Sequence, residues 1–80
     1  MNELFIKVSN INPNQFIAEC EYLKFTVSAG SIEEMRKAIK NKIIETEPDY
    51  IQFSHIKMFL AEQGFWVKER LQDFFRKVKD

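Results

Sequence analysis

One cysteine, two glycines and two prolines among 80 residues leave the chain short of several structural devices, and each shortage excludes something. Cys20 has no second thiol in the sequence to pair with. A disulfide-stapled secreted scaffold is therefore excluded, and a reducing cytoplasm is the simplest setting. So little Gly and Pro argues against a linker or low-complexity tract, and no internal repeat is visible. Gly30 and Gly64 stand too far apart in sequence to build a glycine-rich phosphate loop. Net charge is also missing, because twelve Lys and Arg cancel twelve Asp and Glu. No overall field then draws the chain to nucleic acid or to an anionic membrane. No apolar run approaches the roughly 20 residues of a membrane-spanning helix. The opening MNELFIKV lacks the basic, apolar, small-residue order of a signal peptide. The expectation is a cytoplasmic protein without a membrane partner.

What the chain does have is 45% hydrophobic residues, 30% charged residues and a 14% aromatic share that includes eight Phe. These make residues 1–80 one small α+β domain, its limited core filled by large side chains. The clearest element is a helix over Ser31–Thr46. Ser31 and Glu34 form a Ser-x-x-Glu capping box, with Glu34 reaching back to the Ser31 amide. Glu33 and Glu34 suit the positive end of the helix dipole. Ile32, Met35, Ala38, Ile39, Ile43 and Thr46 share one side, opposite Arg36, Lys37, Lys40 and Asn41. Pro48 closes the helix.

Before that helix, Glu3–Ser9 alternates with a period of two and reads as a strand. The Asn-rich stretch around Pro13 reads as a turn. In Gln15–Ser28 the apolar phase shifts from Phe16, Ala18, Cys20 and Tyr22 to Leu23, Phe25 and Val27. That shift demands two strands, or one sharply bent strand. After Pro48, Tyr50–Ala61 reads as a strand with a bulge near Ser54-His55. Phe65–Lys79 reads as an amphipathic helix with Val67, Leu71, Phe74, Phe75 and Val78 on one stripe and Phe65 and Trp66 off it. A rival reading turns the chain at Glu62-Gln63-Gly64-Phe65 and makes Phe65–Lys68 a strand. The expected order is β-β-(β)-α-β-α, an antiparallel sheet of three or four strands with two helices.

Few residues point to chemistry. His55 has no neighbour at metal-ligand spacing, so no metal site is expected. Cys20 reads as a small buried hydrophobe, and only His55 could serve it as a base. Glu19 and Glu21 share one face of a strand and read as the wet side of the sheet. The expectation is no catalytic residue, no cofactor and no enzyme. Arg36, Lys37 and Lys40 form one basic ridge that could contact phosphate, and Lys68, Arg70, Arg76, Lys77 and Lys79 form another. Phe65 and Trp66, with Lys68 and Arg70 nearby, are the stronger recognition candidates, since aromatics and Arg anchor protein interfaces.

Phe16-Ile17-Ala18, Leu23, Ala29-Gly30-Ser31 and Glu33-Glu34 occupy the order strand, Leu-containing bend, strand and Glu-paired helix start. In this the stretch from 16 to 43 resembles the partial RNase H-like domain of HicB-like antitoxins. It departs at Lys24-Phe25-Thr26, where that family has Pro-Gly-Cys. The resemblance implies a small protein partner, while the single tail helix is too short for the DNA-binding motif such proteins often carry. The helix entrance Val27–Ile39 is also similar to a ubiquitin-like β-grasp. The leading functional expectation is a small non-enzymatic regulatory module acting by protein contact, antitoxin-like or a phage-type inhibitor, with self-association as one form of that contact. The alternative is nucleic-acid binding through the basic helix faces.

Overall fold

Alternation along the first strand fixes which side of the sheet is dry: Leu4, Ile6 and Val8 are buried, while Phe5 and Lys7 between them are exposed. The computed structural model describes residues 2–78. It runs β1 (Asn2–Asn12), β2 (Gln15–Cys20), β3 (Phe25–Ala29), α1 (Ile32–Thr46), a 3-10 turn (Tyr50–Gln52), β4 (Phe53–Leu60), β5 (Phe65–Arg70) and α2 (Leu71–Lys77).

The strands lie in the order β3-β2-β1-β4-β5, with β1 central. Neighbours pair antiparallel except β1 and β4, which run parallel. The protein is thus α+β with two helices, but the sheet is mixed and five-stranded where sequence pattern pointed to three or four antiparallel strands. The cause is the long connection from β3 to β4. A helix between two strands carries the chain back along the sheet, and this is the connection that parallel strands need.

The phase shift in Gln15–Ser28 resolves into a tight hairpin. Ala18 and Cys20 point inward from β2, Phe25 and Val27 from β3. The turn between them is closed by Lys24 in the left-handed region, at φ 58°. In β4, Asn2 faces Phe53 while Glu3 faces His55, so Ser54 is the extra residue of a bulge. That bulge lets Phe53, Ile56 and Met58 all reach the core, as the sequence phase required. The strand is shorter than Tyr50–Ala61, because Tyr50–Gln52 turns as a 3-10 helix first.

α1 starts and stops where its signals are. Ser31 Oγ accepts from the Glu34 amide at 3.2 Å. The Glu34 carboxylate, however, accepts from the amide of Gly30 and not from that of Ser31, one residue further back than a standard capping box. Met35, Ile39 and Ile43 are buried, with Ala38 packed beside them, whereas Ile32 and Thr46 at the ends of the stripe are exposed. Each fully buried Ile contributes about 1.5–3 kcal/mol by leaving water.

Phe65–Lys79 is not one helix. Gly64, at φ 71°, closes a turn in which its amide donates to the Leu60 carbonyl at 2.8 Å. β5 then pairs with β4 from Phe65 to Arg70, before α2 begins at Leu71. This agrees with the rival hairpin reading. The helical stripe is correct only for Leu71, Phe74 and Phe75; Val78 is buried but extended, just past the helix end, and Lys79 lies outside the described residues.

α1 packs on β2 and β3, and α2 on β4 and β5. Their buried side chains join those of the sheet in one cluster, so both helices cover the same face. The opposite face, bearing Phe5 and Lys7, has no helix over it among the described residues.

Candidate functional site

That uncovered face is built by register. Across the sheet Phe5 pairs with Lys57 and Lys57 with Lys68, and in the next row Lys7 pairs with Phe59 and Phe59 with Trp66. Side chains on one face of adjacent strands stand about 5 Å apart, so these rows bring three rings together. Trp66 meets Phe59 with ring centres 5.0 Å apart and Phe5 edge-on at 5.9 Å. Lys57 Nζ lies 5.5 Å from the Phe5 ring centre and 5.4 Å from that of Trp66, within cation–π range. Phe5 is 50% exposed and Trp66 49%, which is unusual for large aromatics held in regular strands.

Charge is distributed unevenly around the rings. On the β2 side, Glu19 pairs with Lys7 and Glu21 follows just beyond the strand end. Glu19, Glu21, Phe5 and Trp66 line one shallow depression, with Tyr22 at its rim. On the other side stand Lys57, Lys68 and Arg70. Lys68 reaches Glu3 at 2.8 Å. The hydrogen bond from Lys68 holds the Glu3 carboxyl below its ordinary value.

On the helix-covered side, Glu69 points inward from β5 and meets Arg36 of α1 in a two-pronged pair at 2.9 and 3.0 Å. Lys77 approaches the same carboxylate at 3.5 Å, and the Arg36 guanidinium lies 4.5 Å from the Phe74 ring centre. Burial alone would push the Glu69 carboxyl up. Arg36 and Lys77 outweigh burial, and the group sits below its ordinary value. This cluster ties both helices to the edge strand.

Cys20 is buried on the inner face, where burial raises its thiol pKa and so disfavours the reactive thiolate. His55 sits on β4 in register with Glu3 and Arg70, its Nδ1 2.9 Å from Ser54 Oγ. The two side chains occupy opposite faces of the sheet. Among the described residues no three His, Cys, Asp or Glu side chains converge as metal ligands would.

No protein-family model, curated protein or solved structure matches the chain.

Of the residues singled out from sequence, Trp66, Lys68 and Arg70 lie on the uncovered face. Phe65 does not. It pairs with Leu60, next to the buried side, and is 49% exposed at the sheet margin. Arg36 is engaged by Glu69, Lys40 lies 5.7 Å from the Phe75 ring centre, and Lys37 is exposed. The ridge is thus divided. A phosphate at Arg36 would first have to displace Glu69. Sequence reasoning missed Phe5, Phe59 and Lys57 as members of the site. The signal was present in β1, where inward Leu4 and Ile6 oblige Phe5 to face out. Among the described residues no helix is long and apolar enough to cross a membrane.

Proposed function

We propose that the chain is a non-enzymatic binding module that works by protein contact through the open face of its sheet. The observation that carries this reading is the trio Phe5, Phe59 and Trp66, gathered on a rigid surface with two of its rings half exposed. Rigid aromatics with a cation among them lose little rotamer entropy on docking and give large contact area, the properties of interface anchors. The run of strand, turn, strand and capped helix from Phe16 to Ile43 has the order that the HicB-like resemblance implies. That order supports an antitoxin-like or phage-type inhibitor role as the specific form of the reading.

Affinity capture from the native host with the wild type and with Trp66→Ala tests it. The wild type is expected to retain a protein that the variant loses, while the two share one melting transition. A variant that unfolds, or that retains the same protein, removes Trp66 from the site. The nucleic-acid alternative, through Arg36, Lys37 and Lys40, predicts binding whose strength falls steeply with salt. The engagement of Arg36 by Glu69 is why protein contact is preferred.

A further inference from the structure

We infer that the partner seated on the open face is a second copy of this chain, packed sheet to sheet about a two-fold axis running along β1. The inference rests on the protein-contact reading and adds the identity of the occupant. Three observations favour it.

First, β1 is the central strand of five. A two-fold axis along it, lying between the sheets, lays β2 of one copy over β4 of the other, so the whole face meets itself. Such self-matching is the requirement of an isologous dimer. Second, the charges on either side of the axis strand suit this operation, while Glu3 and Lys7 on that strand would face their own copies. Glu19 and Glu21 flank the rings on the β2 side, Lys57 and Arg70 on the other, and none of these four makes an ion pair among the described residues. The operation sets β2 with Glu21 over β4 with Lys57, and the two stand near one level, because Lys57 pairs with Phe5 and Glu21 lines the same depression as Phe5. Third, Phe5 lies on the axis strand, so its half-exposed ring would meet its own copy across the axis, while Trp66 on β5 would be covered by β3 of the other copy.

The size of the face sets the strength. Five strands at about 4.8 Å spacing and six residues at about 3.3 Å rise span roughly 20 by 20 Å, on the order of 400 Å² a side. That is about half of a standard interface. The dimer should therefore be weak, at the small and transient end of specific interfaces.

Sedimentation equilibrium of the full chain tests this with two surface variants, Glu21→Lys and Lys57→Glu. Both positions are away from the core, so folding is retained, and circular dichroism checks that it is. The wild type should show a concentration-dependent dimer. Each variant alone confronts like charges twice and should dimerise at least about tenfold more weakly. An equimolar mixture of the two restores both opposite-charge pairs and should recover dimer. A monomeric wild type overturns the inference, as do single variants that dimerise like the wild type or a mixture that stays monomeric. If the wild type is monomeric yet Trp66→Ala still loses a captured host protein, protein contact stands and only self-association fails. Loss of both removes the parent reading too.

Discussion

Ile39 has no exposed surface and stands at the middle of the α1 stripe, between Met35 and Ile43. Truncating it to Ala should lower the free energy of unfolding by about 2–5 kcal/mol, through lost transfer energy and an unfilled cavity. Urea denaturation of Ile39→Ala measures this, and an unchanged midpoint would mean that the α1 face is not buried. At this scale much was legible in the sequence. The helix stripe, the burial of Cys20 and the outward Glu19 all follow from periodicity. Glu69 did not, because a carboxylate at an inward strand position contradicts the alternation rule. Its resolution, Arg36 on a helix 33 residues away in sequence, is a tertiary fact that no local pattern contains. The same inward charge hid the alternation of β5 and lent Phe65–Lys79 its helical look. With Glu69 assigned inward, Val67 and Glu69 form one side of a strand and Trp66, Lys68 and Arg70 the other.

At the scale of elements, the two hairpin turns closed by a left-handed residue, β2–β3 and β4–β5, make a matched test of backbone strain. Gly64 holds φ at 71°, and a β-carbon there would meet nothing within 4 Å. Gly64→Ala should therefore destabilise through conformation alone, by about 1 kcal/mol, since an L-residue loses about that in the left-handed region. Lys24 already bears such strain at φ 58°. Lys24→Gly should raise the melting temperature slightly or leave it unchanged, because relief of about 1–2 kcal/mol of strain exceeds the roughly 0.5–1 kcal/mol entropic cost of a glycine. Thermal melts of the pair check both signs. The same contrast explains what sequence could and could not disclose. Gly64 advertised its turn. Lys24 concealed one, leaving a phase shift as the sole clue to the β2–β3 hairpin.

For the molecule as a whole, the two helices and the edge strand are joined at the Arg36, Glu69 and Lys77 cluster. The folded Glu69 carboxyl lies below its ordinary value of 4.5. A depressed folded value contributes stability that is present above the unfolded value and is lost as pH falls from there through the folded one. Wild-type stability should thus decline below about pH 4.5. Glu69→Gln should be less stable near neutral pH and decline less steeply, so that the two curves converge in acid. Melting temperatures from pH 3 to 7 measure the convergence, and parallel curves would show that the cluster contributes no pH dependence. That each helix has a face to bury was legible in its amphipathic stripe, but not that both would cover the same side of the sheet. The parallel pairing of β1 with β4 was not, since it depends on where a crossover lands.

That pairing has a consequence for synthesis at the ribosome. β1 is made before either of its neighbours, yet one of its two hydrogen-bonding edges stays bare until β2, β3 and α1 have emerged and β4 can dock. The three-stranded meander must wait in this unfinished form, with a naked flank open to other nascent chains, so crowded expression should favour aggregates that sparser expression avoids.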